Sequence, residues 1–257
     1  MKGKLQGNSK GAFKTLIYEK EGTIACVTLN RPQSLNAYSI QMRDDLSVVL
    51  RAIRDDDEVR VALLKGAGEK AFCAGADLSE FLTALSPVSA RRIRFDRDVW
   101  GLFLSIPQPL IAVLHGWVLG SGIEMALCCD LRIASDDAHF GLPEVELGIL
   151  PAAGGTQTLP RLVGQGKALE MLMSGCRINA QEALESGLVN RVAPKSQLLK
   201  VAKKTAEKIA SYNPDAVRCV KQAVGRGVDL PLAEGLDMEK RLADQLLRSN
   251  GLNHEHT

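Results

Sequence analysis

The feature that most constrains the fold is a recurring order of short apolar run, glycine turn and helix. VRVALLKG, LIAVLHG and LRIAS are apolar runs of strand length, and the first two end in glycine. Between the last two lies LGSGIEMALCCD, which opens with a glycine-rich turn and continues as an apolar helix. This repeating order of strand, turn and helix predicts a stacked α/β core.

The segments around this core also carry clear local signals. FKTLIYEKEGTIACVTLN is predicted to form two strands joined at KEG. Ser39 is the predicted N-cap of the next helix, in IQMRDDLSVVLRAIRDD. The apolar residues of that helix have helical spacing: Leu46, Val49, Leu50 and Ile53. In SPVSARRIRFDRDVWGLFLSI, Ser86 as cap and Pro87 at the first helical position predict a longer helix.

From Ser196 onward the chain no longer shows the order of strand, turn and helix. SQLLKVAKKTAEKIASYN, PDAVRCVKQAVGRG and PLAEGLDMEKRLADQLL are predicted helices, separated by Asn-Pro, Gly and Leu-Pro. A boundary is therefore predicted near Pro194, with a core over residues 1–195 and a helical region over 196–257. This helical region has too few aromatic residues for a core of its own, so we expect it to pack on the α/β core or on another subunit.

The balance of charge narrows the choice of partners. Lys and Arg number 32 against 30 Asp and Glu, which disfavours binding to nucleic acid or to an anionic membrane through charge alone. No apolar stretch is regular enough for a membrane-spanning helix of about 20 residues. The N-terminal MKGKLQGNSKGAFK has no apolar signal region, so a cytoplasmic location is expected.

The cysteines and histidines form no metal-binding motif. The six cysteines lack a CxxC pair and are expected to be reduced thiols, and the four histidines form no HExxH. His254 and His256 in NHEHT could chelate weakly, but a frayed tail is the simpler interpretation. No metal site is predicted.

Glu124 is the one charged residue in the apolar run GIEMALCC. A buried carboxylate must be paired or belong to a site, because burial without partners removes its hydration. Glu144, in HFGLPEVELG, has similar glycine- and leucine-rich surroundings. Two such glutamates could act as acid and base, with pKa values that burial and mutual repulsion shift upward or apart. Either one alone is more simply explained as structural.

Small-residue segments near these glutamates allow several interpretations. GAGEKA (66–71) has the spacing G-x-G-x-x-A, but FCAGADL follows it instead of the helix that a dinucleotide site needs. Ser121 has adjacent glycines, whereas a GxSxG nucleophile needs them two residues away, so a hydrolase is disfavoured. AGAD (74–77) and GSG (120–122) each lead into a helix, where free N–H groups point outward. Together they could form an oxyanion hole, and alone each is a tight turn.

Five segments occur in an informative order and spacing: NRPQSLNA, FCAGADL, HGWVLGSGIEMALCCDLRIAS, FGLPEVELGILPAAGGTQTLPRLVG and GLVNRVAP. Each segment alone is weak evidence for a family, but the ordered set is specific. It resembles the pattern of the enoyl-CoA hydratase/isomerase, or crotonase, superfamily. The likeness covers roughly residues 13–240. It implies an α/β fold, a crotonase-like spiral of repeated ββα units with a C-terminal helical trimerisation region, and an acyl-CoA thioester substrate.

The resemblance also assigns a site. Its oxyanion hole corresponds to the backbone N–H groups of Ala76 and Ser121, and the two glutamates of hydrating members correspond to Glu124 and Glu144. Glu144 is expected to be the principal base and acid, with Glu124 holding the same water. A further set of residues is expected to contact CoA and substrate: Gln33, Ser34, Leu35, Ala37, Ala74, Asp77, Leu78, Trp117 and Gly120.

The implied reaction is reversible syn addition of water across the 2,3 double bond of a 2-enoyl-CoA thioester, by a homotrimer or a dimer of trimers. CoA is part of the substrate, so no separate cofactor is expected. Gln33 and Ser79 are uncharged where the family often has a basic residue for the CoA phosphates, and LLRSNGLNHEHT lacks the usual closing segment. Arg31, Lys70 or a neighbouring subunit would then hold the phosphates.

Other functions stay open on the sequence alone. One is an isomerase or dehydratase for a cyclic or branched acyl-CoA, although such isomerases commonly keep only one of the two glutamates. Another is a non-catalytic RNA-binding relative, with basic faces from ARRIRFDR and KVAKKTAEK. A third is a structural partner subunit, which would have no reason to keep two costly carboxylates. The width of the acyl pocket depends on side-chain orientations that the sequence does not fix: Leu82, Trp100, Phe103 and Trp117.

Overall fold

The computed structural model describes residues 13–81 and 97–249. The strands of this part are β1 Leu16–Glu21, β2 Ile24–Leu29, β3 Val61–Gly66, β4 Ala71–Cys73, β5 Leu110–Leu114, β6 Trp117–Leu119, β7 Leu131–Ser135, β8 His139–Gly141, β9 Arg177–Asn179 and β10 Arg191–Ala193. The α-helices are α1 Ile40–Asp55, α2 Leu78–Phe81, α3 Val99–Ser105, α4 Ser121–Leu127, α5 Gly155–Val163, α6 Gln165–Ser174, α7 Ala180–Glu185, α8 Leu198–Ala210, α9 Pro214–Gly227 and α10 Leu232–Ser249. Three short 3-10 helices complete it: Pro32–Ser34, Pro143–Leu147 and Lys195–Gln197.

The strands form two sheets between which the chain alternates. The larger sheet has the order β1-β2-β3-β5-β7-β10, and the smaller has the order β4-β6-β8-β9. Pairing is parallel except for β1 with β2 and β8 with β9. The chain passes from β3 to β4, from β5 to β6 and from β7 to β8, and each of these crossings leads into a helix. This is the spiral of ββα units that the family resemblance implied, so the α/β fold class is confirmed.

The strongest local predictions are confirmed. The hairpin around KEG is β1 with β2, and the three apolar runs are the neighbouring strands β3, β5 and β7 of the larger sheet. The Ser39 hydroxyl caps α1 by accepting a hydrogen bond from Met42 N at 3.1 Å. The apolar face of α1 is buried in the main core, as its helical spacing predicted: Leu46, Val49, Leu50 and Ile53.

Two segments differ from the sequence-based expectation. The stretch after GAGEKA contains the short strand β4, because residues 66–71 form the end of β3, a turn and the start of the next strand. No helix begins after this turn, so the strand-to-helix turn that binds a dinucleotide is absent here. Ser86 and Pro87 lie outside the described residues, but the continuous helix expected over residues 86–106 is wrong, because it is interrupted before Val99. Residues 97 and 98 are not helical, and Asp98 caps a new helix by accepting from Gly101 N at 2.8 Å.

The C-terminal helices differ in how extensively they pack on the α/β core. A row on α8 packs against the larger sheet: Leu198, Ala202, Ala206 and Ala210. This helix therefore shares a core with β3, β5 and β7 although it follows the boundary predicted near Pro194. Helices α9 and α10 pack mainly on each other. Over the described ranges, no helix combines the length and the hydropathy needed to span a membrane.

Candidate active site

Three loops meet where the parallel strands of the smaller sheet end. Residues 74–76 follow β4, residues 120–121 follow β6, and residues 143–144 follow β8. Because the carboxyl ends of parallel strands lie at one edge of a sheet, these loops come together. They line one cavity of about 650 Å³, which also receives α4 and the segment 149–154.

Gly120 lies close to both of the other loops. Its N–H donates to the Gly141 carbonyl at 3.0 Å, and its φ of +49° favours glycine. A Cβ on Gly120 would lie 2.9 Å from Glu144 Oε1 and 3.4 Å from Gly75 Cα. The AGAD and GSG segments therefore do converge, which the sequence alone could not establish.

The N–H groups of Ala76 and Ser121 are left out of the local backbone pairing. Tyr38 N donates to Gly75 O and Asp77 N donates to Tyr38 O, both at 2.8 Å, so the pairing passes over the intervening Ala76 N–H. Ser121 is the first residue of α4, where an N–H has no acceptor within the helix. Among the described residues neither N–H has an acceptor, and both residues line the cavity.

Glu124 is buried in the wall of the cavity. It lies on α4, and only 3% of its surface is exposed. Its Oε1 accepts two backbone hydrogen bonds, from Ala153 N at 2.9 Å and from Gly155 N at 3.0 Å. The segment that follows Glu144 in the chain therefore fixes this carboxylate in position.

Glu144 has a different environment from Glu124. It lies on the 3-10 helix Pro143–Leu147, and within the described part of the chain its buried Oε2 has no hydrogen-bond partner. Burial raises the pKa of Glu144 to about 7, and the charge of Glu124 contributes to the increase. A carboxyl group with this pKa can accept and return a proton near neutral pH.

The remaining predicted contact residues divide between two cavities and the surface. Ala74, Leu78 and Gly120 line the main cavity. Gln33 and Leu35 instead line a second cavity of about 320 Å³ beside the β3–β4 turn, together with Lys70. The other predicted contacts lie outside both cavities: Ser34, Ala37, Asp77 and Trp117.

Polar partners explain why Asp77 lies outside the cavities, and its position on the strand explains why Trp117 does. The Asp77 carboxylate pairs with Arg31 at 3.0 Å and accepts the Ser79 hydroxyl at 2.6 Å. Arg31 also donates to the Ala37 carbonyl at 2.7 Å, so its charge is already engaged within this loop. Trp117 begins β6, at the end opposite Gly120, and its ring lies 5.1 Å from that of His139.

Several cavity residues were not predicted from the sequence. Tyr38 forms an aromatic cluster with Phe81 and Trp100, at centroid separations of 5.8 and 5.5 Å. Trp100 lines the cavity, whereas Phe103 is buried beside it, and Leu82 lies outside the described residues. Further lining residues are Asp98, Cys128, Ala153 and Arg177. The sequence signal that could have identified Ala153 is the glycine pair that follows it in PAAGG, a short distance after Glu144.

Metal-ligating side chains do not cluster in the described ranges, where no group of three or more His, Cys, Asp or Glu is arranged to hold an ion. The ββα spiral, the paired backbone donors and the two cavity glutamates instead define a crotonase-type protein. This class is recognised from the geometry of the site and from the alternation between two sheets.

Comparison with known proteins gives the same class. Residues 19–254 match the family model described as enoyl-CoA hydratase/isomerase. The chain is 44% identical over 228 residues to a short-chain-enoyl-CoA hydratase of Clostridium acetobutylicum, covering 88% of this chain and 87% of that protein. It is 40% identical over 229 residues to a crotonyl-CoA hydratase of Syntrophomonas wolfei, covering 89% and 88%.

A solved structure agrees in fold as well as in sequence. The crystal structure of an enoyl-CoA hydratase from Bacillus anthracis superposes with a TM-score of 0.88 at 41% identity, covering 91% of this chain and 92% of that one. The chain belongs to the enoyl-CoA hydratase/isomerase family.

Proposed function

We propose that the protein is an enoyl-CoA hydratase that adds water across the 2,3 double bond of a 2-enoyl-CoA thioester. The observation that carries this proposal is that both glutamates line one cavity beside two backbone N–H groups that have no acceptor in the described part of the chain. Relatives at 40–44% identity named as hydratases of enoyl-CoA and crotonyl-CoA support it. Isomerase and dehydratase activities remain the alternatives within this family.

The backbone donors account for activation of the substrate. The thioester carbonyl oxygen accepts hydrogen bonds from the N–H groups of Ala76 and Ser121. Attack at C3 moves negative charge onto this oxygen, and donors fixed in advance stabilise that charge without reorganising. The contribution comes from the backbone, so serine at position 121 is compatible with the role.

The glutamates account for the movement of protons. Glu144 accepts a proton from the water as its oxygen bonds to C3, and it then returns a proton to C2 on the same face. Glu124, held by Ala153 N and Gly155 N, orients the same water. The reverse sequence removes water. The reaction leaves Glu144 in its starting state, and it needs no cofactor beyond the CoA in the substrate.

The activity is tested by the disappearance of the conjugated thioester absorbance of crotonyl-CoA on mixing with the purified protein. Turnover to 3-hydroxybutyryl-CoA, identified by mass, supports the hydratase. A shifted double bond without added water would instead identify an isomerase. Retention of RNA without any thioester turnover would identify a binding protein.

The pKa of Glu144 predicts the pH dependence of hydration. Its value is raised to about 7, so the base form needed to accept a proton from water prevails only above that pH. We expect kcat/KM for crotonyl-CoA hydration to rise about tenfold per pH unit below about pH 7 and to level off above it. Dehydration begins with the same base form, which removes the proton from C2, so its kcat/KM should show the same pH dependence. A hydration profile that is flat from about pH 5.5 to about pH 8.5 would exclude Glu144 as the titrating base.

We further propose that the protein is a homotrimer or a dimer of trimers, with α9 and α10 at the subunit contacts. Successive turns of α9 and its C-cap residue expose Val220, Val224 and Val228, with 64%, 63% and 70% of their surfaces accessible. Leu232 and Leu236 continue this apolar surface onto α10, at 78% and 55%. Contiguous apolar surface of this kind is typical of a protein interface.

The double substitution Val220→Lys and Val224→Lys is expected to shift the protein from a trimer toward the monomer mass of 27.8 kDa, because two charges would be buried at the contact. Light scattering after size-exclusion chromatography measures this mass. Val48→Lys, a matched change at an exposed valine of α1, should leave the mass unchanged. An unchanged mass in both variants would remove α9 from the subunit contact.

A further inference from the structure

Asp98 is a charged residue in the lining of the main cavity, on a different element from the proposed oxyanion donors. Helix α4 begins with Ser121, passes Glu124 and is followed by Cys128, which also lines the cavity. Four residues of helix advance about 6 Å. A substrate with its carbonyl at Ser121 N–H and its C2–C3 bond at the glutamates would extend its later carbons toward Cys128.

The surroundings of Cys128 locate Asp98 at that end. Burial raises the pKa of the Cys128 thiol, and the charge of Asp98 is a minor further cause, in agreement with their position in one cavity. Asp98 lines the same cavity as Cys128, together with Trp100 and Leu104. The end of the cavity that would receive the acyl chain therefore combines apolar side chains with one carboxylate.

The Asp98 carboxylate is held in a fixed orientation. Its Oδ1 accepts from Gly101 N at 2.8 Å, and a Cβ on residue 101 would lie 2.1 Å from its Oδ2. Glycine at position 101 thus allows the carboxylate to fold over the first turn of α3. No salt bridge to Asp98 is formed within residues 13–81 and 97–249.

Capping of α3 explains the hydrogen bond but not the charge, because asparagine and serine cap helices about as well as aspartate. An exposed carboxylate that an apolar chain covers would lose its water without gaining a donor. A hydroxyl group on the chain would replace the lost hydrogen bond. A charge at this position would therefore disfavour an extended apolar chain and tolerate one that carries a hydroxyl group.

We propose that Asp98 is a specificity-determining residue that favours acyl groups that are short, or that carry a hydrogen-bond donor beyond C3, over extended apolar chains. This inference rests on the proposed function, which supplies the direction of the acyl chain. It deepens that function by naming the substrate class of the same cavity.

The test compares wild type with Asp98→Asn, which preserves the cap and the size of the side chain and removes the charge. The substrates are crotonyl-CoA, 2-octenoyl-CoA, 2-hexenoyl-CoA and 6-hydroxy-2-hexenoyl-CoA. Asp98→Asn is expected to raise the ratio of kcat/KM for octenoyl-CoA over crotonyl-CoA by about tenfold, the scale of one hydrogen bond to a charged group. Wild type should prefer the hydroxylated hexenoyl substrate over the plain one, and the variant should lose most of this preference.

Control variants separate this role from charge loss and from capping. Asp57→Asn, at an exposed position between α1 and β3, should change neither ratio. Asp98→Ser keeps the cap in a smaller side chain and should resemble Asp98→Asn. Equal substrate ratios in wild type and both Asp98 variants would overturn the proposal.

A binding measurement keeps the inference separate from the proposed reaction. The affinities of the saturated thioesters butyryl-CoA and octanoyl-CoA are measured by calorimetry with the same proteins. Asp98→Asn should tighten octanoyl-CoA relative to butyryl-CoA by about tenfold even if no substrate turns over. A lack of turnover would then count against the hydratase alone, and an unchanged affinity ratio would count against Asp98 as the determinant.

Discussion

Glu144→Gln is expected to lower kcat for crotonyl-CoA hydration by about 10²- to 10⁴-fold, the usual contribution of a general acid–base group. Glutamine preserves the shape of the side chain but cannot accept a proton from water. The loss should be measured from initial rates of the conjugated-thioester absorbance. Glu146→Gln on the same 3-10 helix is the matched control, because the Glu146 side chain is half exposed and pairs with Arg177 at 3.5 Å.

Glu124→Gln is expected to cause a loss of the same order, since its carboxylate orients the water that Glu144 deprotonates. The double variant should lose little more than the poorer single variant, because residues that act on one step are not additive. Losses that multiply would indicate that the two glutamates act independently. Near wild-type kcat in either single variant would contradict the two-carboxylate mechanism.

Thermal stability distinguishes loss of chemistry from loss of structure. The folded-state pKa of Glu144 is raised, so the stabilisation from its neutral form is fully present below its unfolded value and is lost as pH rises through about 7. At pH values above about 7 the wild type therefore holds an unfavourable buried charge that glutamine removes. The Tm of Glu144→Gln should equal or exceed that of wild type at this pH, and a large decrease would show that the side chain is structural.

Ser121→Pro is expected to lower kcat by about 10²- to 10³-fold, the usual cost of losing one oxyanion donor. Proline has no N–H, yet it is favoured at the first position of a helix, which Ser121 occupies in α4. Ser121→Ala is the matched control, because it removes the hydroxyl and keeps the N–H. We expect its kcat to stay within a few-fold of wild type.

The contrast between the proline and alanine variants is the decisive measurement. Circular dichroism and the affinity for butyryl-CoA show whether the proline variant keeps its fold and its site. Equal losses in both variants would assign the role to the hydroxyl group. Full activity in the folded proline variant would remove the Ser121 N–H from the oxyanion hole.

The sequence by itself determined the elements whose signals are local. The β1–β2 hairpin, the apolar runs of the larger sheet and the capped helix α1 were predicted because each has its own period, turn or cap over a few residues. Glu124 and Glu144 stood out because a carboxylate in apolar surroundings is costly. The family motifs identified the fold class because their order is specific to this family.

Only the tertiary structure decided which of these elements meet. Strands of three residues, such as β4 and β6, are too short to show a period, so the alternation between two sheets was not visible in local patterns. Trp117 begins β6 and Gly120 follows its last residue, yet only Gly120 lines the cavity, because the edge at which a strand ends is set by its pairing.

The chemistry of the site depends on the same long-range pairing. The donors to Glu124 come from residues 153 and 155, and the pKa of Glu144 near 7 arises from burial by segments far apart in the chain. Asp98 caps its own helix in a way that the local sequence could indicate, but its place in one cavity with Cys128 depends on the packing of α3 on the core. Local sequence fixes which groups are present, and sheet register and packing fix what those groups face.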